Sequence, residues 1–373
     1  MVSQPLNSFI PLAFITAALL SFFLIPIIIR LIRKKDLLDT GGKRKIHKGR
    51  KPTMGGIAIF AGFIFAVILW VPFEFVRYMI GAFTIIFITG LRDDLIPVRP
   101  IVKLVSQLVA AGIMVWLCDI ELQSLYGFLG INYLPVWITY PITIFTIMVI
   151  SNSYNLIDGL DGLAGTIGIL ALSCFGVYFF LVGQIYWTIL LASLVGAIGG
   201  FLYFNWEPSK IFMGDTGSLF IGFVMAVTAI FFIDTNYNLP NDNPFRFESS
   251  IGTAVALIMM PLFDTLRVFI SRALRKQSPF SPDKTHIHHL IMRMGFNHAQ
   301  TVLIMLGLAA MFALVGTVVG YHVPDNFMVF IMVALAFGCS LLLDYLISRR
   351  FPKREAARKQ FGRPTQTSKT PKA

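Results

Sequence analysis

Charge is scarce in this chain. Asp, Glu, Lys and Arg together make up 13% of its 373 residues, while apolar residues make up 56%, with a mean hydropathy of +0.75. That balance excludes an ordinary soluble domain and an intrinsically disordered one. Cysteine is nearly absent: Cys118, Cys174 and Cys339 lie in or at the ends of apolar runs without metal-ligand spacing, which excludes a disulfide framework and leaves them as small packing residues. There is no internal repeat, and no strand-length alternation of the kind a membrane β-barrel requires. Cations are almost missing from every second loop.

What is present is a series of apolar runs of membrane length. They predict an all-α polytopic integral membrane protein of about eleven transmembrane helices, near 9 to 32, 54 to 71, 75 to 91, 101 to 118, 135 to 150, 163 to 181, 186 to 204, 217 to 234, 250 to 271, 300 to 320 and 326 to 347. The first run has no basic region before it and a dense one after it, so it reads as an uncleaved span with its N-terminus outside. Residues 1–348 form one membrane domain on this reading, and residues 349–373 form a basic tail, disordered or lying on anionic lipid. With eleven spans, 29 of the 31 Lys and Arg residues fall on the side that holds the C-terminus, and only Arg77 and Arg246 fall opposite. The positive-inside rule makes that side cytoplasmic. It also accounts for the net charge of +12, which is therefore no argument for nucleic acid.

The polar chemistry concentrates in the same cytoplasmic loops. NSYNLIDGLDGL places Asn152, Asn155, Asp158 and Asp161 three residues apart between two apolar runs. Carboxylates at that spacing repel unless a cation or donors lie between them, and acidic groups beside membrane segments mark sites. Hard cations such as Mg²⁺ take oxygen ligands from few carboxylates and leave room for phosphates. GLRDDLIPVRPIVK puts Asp93 and Asp94 at an electrostatically disfavoured helix C-terminus, followed by Lys103. FMGDTGS sets Asp215 at a Gly-rich helix start, where an N-cap and a phosphate site are competing readings, and Phe212 just before it is placed to stack a base. The first loop, GGKRKIHKGRKPTMGG, carries cations including Lys48 that serve either as a topology signal or as phosphate contacts. In DKTHIHHLIMRMGF, His286, His288 and His289 suggest zinc but lack the three-ligand geometry with support, so with Lys284 and Arg293 they read better as an anion clamp. Asp264 and Arg267 read as a structural ion pair, and Asp344 has no assigned role. Carboxylates, amides, lysines and a Gly-rich turn are the parts of phosphoryl transfer, here between a cytosolic phosphorylated donor and a lipid acceptor. A transporter would instead hold its polar groups at mid-membrane.

The blocks PTMGG, GLRDD, NSYNLIDGLDGL, FMGDTGS and DKTHIHHLIMRMGF, in this order, resemble the polyprenyl-phosphate N-acetylhexosamine-1-phosphate transferases, over most of residues 40 to 300. RKIH and HIHH are most similar to the branch that uses UDP-N-acetylglucosamine. The peptidoglycan branch, which takes a UDP-muramoyl-pentapeptide, ranks second because Ile287 interrupts the histidines and Leu290 follows them. The resemblance implies an enzyme of the bacterial inner membrane, possessing a cytoplasmic site and Mg²⁺ (or Mn²⁺), that joins a UDP-N-acetylhexosamine to undecaprenyl phosphate and releases UMP, as the first membrane step of cell-surface polysaccharide synthesis; it is compatible with a homodimer. It further implies that Asp93 deprotonates or orients the lipid phosphate, Asp94 and Asp158 support the site, and Asn155 and Asp215 bind the metal. Asp161 would meet the uracil edge and Phe212 its face, while Lys103 and the three histidines would meet the pyrophosphate. Pro97 stands where the family often has an acidic or polar residue, so no third carboxylate is expected there.

Overall fold

The computed structural model describes residues 6–34, 51–276 and 286–350, and among them the regular structure is entirely helical. The helices are α1 (Phe9–Lys34), α2 (Gly55–Trp70), α3 (Phe73–Leu95), α4 (Pro100–Cys118), α5 (Val136–Ile157), α6 (Leu163–Leu181), α7 (Ile185–Asn205), α8 (Gly214–Asn238), α9 (Ser250–Leu257), α10 (Met259–Leu274), α11 (Ile287–Arg293), α12 (His298–Val319) and α13 (Asp325–Arg350). Among the described residues nine helices are long and apolar enough to cross a bilayer, so the chain is a multi-pass membrane protein. Lys48, Lys284 and the tail beyond Arg350 lie outside the described residues.

Two of the expected spans differ from simple crossings. α2, at Gly55–Trp70, is only 16 residues long. The segment expected to run straight from 250 to 271 is broken into α9 and α10, which meet at 80°. Pro261 sits in the first turn of α10, where a missing N–H is harmless, and it could not have continued α9.

α8 is the axis of the bundle. Its apolar window is 94% buried, against 22 to 67% for the other single spans, because its residues are apolar on every side and α2, α3, α5, α6 and α9 surround it. Small residues allow the closest approaches, as on α7, where Gly196 and Gly200 lie against the backbone oxygens of Phe14 and Ala18 on α1.

The N-terminus of α8 is held by backbone pairing. Phe212 N–H donates to Pro52 O at 2.8 Å, Gly55 N–H to Phe212 O at 2.9 Å and Gly56 N–H to Met213 O at 2.9 Å. A Cβ on Gly56 would lie 2.2 Å from the backbone nitrogen of Gly217. PTMGG is therefore a seat for the start of α8. Gly56→Ala is expected to destabilise the protein by about 2 kcal/mol or more through overpacking, seen as a fall of several degrees in the melting temperature of detergent-solubilised protein; an unchanged melting temperature would refute this packing.

Candidate active site

The C-terminal ends of α3 and α5 and the N-terminal ends of α4 and α8 meet at one end of the bundle. They carry Asp93 and Asp94, Asn155 and Asp158, Lys103, and Asp215.

Asp94 is wholly engaged in fixing α8. Its Oδ1 accepts the Asp215 N–H at 2.8 Å, and its Oδ2 accepts the Thr216 N–H at 3.0 Å and the Thr216 hydroxyl at 2.5 Å. The carboxylate of α3 thus satisfies the free N–H groups at the start of α8, a capping role supplied from another helix. Gly90, one turn earlier, lets α3 come this near: a Cβ there would be 2.6 Å from Asp215 O. The side chain of Asp215 is thereby released from capping and faces Lys103 and Asn155.

Lys103 reaches both Asp93, at 2.6 Å, and Asp215. Asp93 is steadied by the Val98 N–H, which donates to its Oδ1 at 2.7 Å. Pro100 begins α4 and aims Lys103 back at the α3 terminus. Asn155 donates from Nδ2 to Asp215 Oδ1 at 3.1 Å and to Ser218 Oγ at 2.7 Å, which leaves its Oδ1 as an outward acceptor. Asn152 is not part of this group; it exchanges hydrogen bonds with Gln107, at 2.8 and 3.3 Å, and braces α5 against α4.

Asp158 follows the last residue of α5. Burial, and then the neighbouring Asp215, Asp94 and Asp161, push its carboxyl up to about 7. Such a concentration of negative charge is stabilised by added cations. Among the described residues no three of His, Cys, Asp and Glu form a closed metal cage, yet the Asn155 amide oxygen and the carboxylates of Asp215 and Asp158 are hard oxygen donors. That donor set suits a cation such as Mg²⁺, which keeps waters and takes the rest of its shell from phosphates.

The second half of the site lies beside this one. Lys51 bonds Asp161 at 3.3 Å and Ser209 Oγ at 2.9 Å, and its ammonium stands 5.2 Å from the centre of the Phe212 ring. Phe212 is 37% exposed, so it remains accessible beside a carboxylate and a lysine. Gly162, at φ +82°, turns the chain into α6, and Asn205 pins the turn by accepting the Gly162 N–H and donating to Ile211 O, both at 2.9 Å. Sequence reasoning chose Lys48 from the first loop and passed over Lys51, although Lys51 is the cation adjoining Pro52 and so is fixed by the seat of α8. Asn205 and Ser209 were also missed, because an isolated amide or hydroxyl carries no spacing signal.

The histidine block joins the site through glycine. His288 is buried and packs on Gly159, where a Cβ would be 2.8 Å from its Nε2; burial lowers its imidazole to about 4. His288 is therefore neutral and supports the loop carrying Asp158 and Asp161. The His286 and His288 rings stack at 5.6 Å, and His289 follows at 4.3 Å. Arg293 ends α11 and is exposed. Asp264, expected to pair with Arg267, binds the histidine segment, and the Arg267 guanidinium meets Asp344 at 2.5 Å and Ser340 at 2.9 Å on α13. Spacing along one helix could not anticipate partners from two others.

A carboxylate and amide cluster beside an open aromatic ring, at one end of membrane-length helices, defines a membrane transferase of the phosphate-handling kind. The chain belongs to glycosyl transferase family 4, whose model matches residues 76–233. A probable undecaprenyl-phosphate N-acetylglucosaminyl 1-phosphate transferase of Bacillus subtilis (strain 168) is 33% identical over 313 residues, 82% of this chain and 83% of that protein. The undecaprenyl-phosphate alpha-N-acetylglucosaminyl 1-phosphate transferase of Salmonella typhi is 30% identical over 371 residues, covering 94% and 97% of the two chains. The protein of that name from Escherichia coli (strain K12) is 29% identical over 338 residues, covering 87% and 89%.

Proposed function

We propose that the protein transfers N-acetylglucosamine 1-phosphate from UDP-N-acetylglucosamine to undecaprenyl phosphate and releases UMP, at the cytoplasmic face of a bacterial inner membrane. The carrying observation is that the Asn155–Asp215–Lys103–Asp93 cluster and the Lys51–Asp161–Phe212 group share the entry to α8 and the acidic loop: Phe212 shortly precedes Asp215, and Asp158 feels the charge of both Asp215 and Asp161. The distribution of Lys and Arg supports the orientation.

On this reading Phe212 takes one face of the uracil, and Asp161 with Lys51 meets its polar edge. The diphosphate then lies along the start of α8, toward Asp215. Asp215 and Asn155, with Asp158 beside them, would hold Mg²⁺ or Mn²⁺, which would supply neutralisation of the diphosphate charge. Asp93 orients the lipid phosphate and Lys103 draws it in. An oxygen of that phosphate attacks the β-phosphorus of the donor. A new P–O bond forms as the bridging P–O bond breaks, and UMP leaves with the bridging oxygen. The product is a lipid-linked sugar diphosphate, the starting unit for a surface polysaccharide.

Purified protein, undecaprenyl phosphate and a panel of UDP-sugars test this by UMP release. UDP-N-acetylglucosamine is expected to turn over with Mg²⁺ and to stop with EDTA; no UMP from any UDP-N-acetylhexosamine would overturn the reading. Lys51→Ala is expected to raise the KM for the UDP-sugar about tenfold, the loss of one charge-assisted contact, and to leave the KM for the lipid unchanged. Equal changes in both would remove Lys51 from the nucleotide.

A further inference from the structure

Asp264 sits on α10, just past the 80° break from α9, and only 1% of the residue is exposed. Both its oxygens serve the histidine block. Oδ1 accepts the Ile287 N–H at 2.7 Å, and Oδ2 lies 2.7 Å from Nδ1 of His286. The first bond is enough to start α11, since a cap needs only one acceptor. The second does something different.

A carboxylate acceptor fixes the proton of His286 on Nδ1 and sets the plane of the ring. Nε2 then becomes the single ring nitrogen available to a ligand. The side chain of His286 is 12% exposed, so the ring is supported on most sides without being sealed. It stacks nearly parallel on His288, at 5.6 Å and 18°, and His288 in turn packs on Gly159, which lies between the two aspartates of the acidic loop.

We propose that Asp264 is a positioning residue that aims Nε2 of His286 at the diphosphate of the sugar nucleotide. The inference rests on the donor proposed above. It differs from a purely structural cap in making His286 the group through which Asp264 acts.

Asp264→Asn, His286→Ala and the double variant separate the two. In D264N the side-chain amide keeps one oxygen to accept the Ile287 N–H, so the cap survives while the carboxylate partner of His286 is lost. D264N is expected to weaken UDP-N-acetylglucosamine about tenfold, both as KM and as the Kd from calorimetry, with the KM for undecaprenyl phosphate unchanged. H286A should match it, and the double variant should be no worse than H286A. An unchanged donor affinity in D264N, additive losses in the double variant, or equal losses for donor and lipid would each overturn the proposal.

Two further variants hold if D264N does not fold. His286→Asn keeps a donor near the Nδ1 position but has nothing at Nε2, whereas His286→Gln reaches the Nε2 position. Donor affinity is expected to fall in H286N and to be partly retained in H286Q; the reverse order would refute the geometry. A wild-type enzyme that releases no UMP from the sugar nucleotide would instead refute the proposed function, so the two failures are distinguishable.

Discussion

Asp215→Asn is expected to lower the kcat for UMP release at least about a thousandfold at saturating Mg²⁺, a loss of the size seen when a preorganised electrostatic contact is removed. The substitution keeps the shape of the side chain and changes its charge and one oxygen. Asp215 accepts from Asn155 and from Lys103, so both lose an anionic partner at once. The start of α8 is unaffected, because Asp94 caps it through backbone N–H groups that the variant retains. The melting temperature should therefore stay near the wild-type value while turnover disappears. Near-wild-type UMP release from purified D215N would remove Asp215 from the chemistry.

Asp158→Asn is expected to do two opposite things: lower turnover about a hundredfold or more, and stabilise the protein in the absence of metal. The carboxyl of Asp158 is raised from 3.8 to about 7, by burial first and by Asp215, Asp94 and Asp161 next. A raised acid favours the folded state fully below its unfolded pKa and loses that contribution as pH climbs. The penalty on the wild-type protein grows between pH 4 and about 7 and is constant above that. An uncharged amide escapes it. In EDTA at pH 8, D158N should melt a few degrees above the wild type, corresponding to at least about 1 kcal/mol, and the advantage should shrink toward pH 5. A variant that melts lower than the wild type at pH 8 would show that the charge of Asp158 is already compensated.

The helices were legible because bilayer-length apolar runs leave little choice of secondary structure. The acidic loop was legible for the opposite reason, since carboxylates among such runs need an explanation. Roles within the site were less so. Asp93 and Asp94 are adjacent and chemically identical, yet one faces Lys103 and the other closes the end of α8. Only the tertiary approach of α3 at Gly90 decides between them. The histidines read as three members of one anion clamp, but burial against Gly159 makes His288 a neutral packing group, and Asp264 singles out His286. The α9–α10 break was the one backbone feature with an unused signal, since Pro261 stood in the middle of the supposed span.

The pairing of residues 52–56 with the entry to α8 also bears on how the protein is made. α2 emerges early in synthesis, is short, and finds its hydrogen-bonded partner only after five more helices have been translated. Until then its leading backbone amides lack the carbonyls that receive them in the finished bundle. Packing of α2 is thereby completed only by the arrival of the α8 entry, and ribosome-bound chains ending before α8 would carry Asp93, Lys103, Asn155 and Asp158 without the helix start that gathers them.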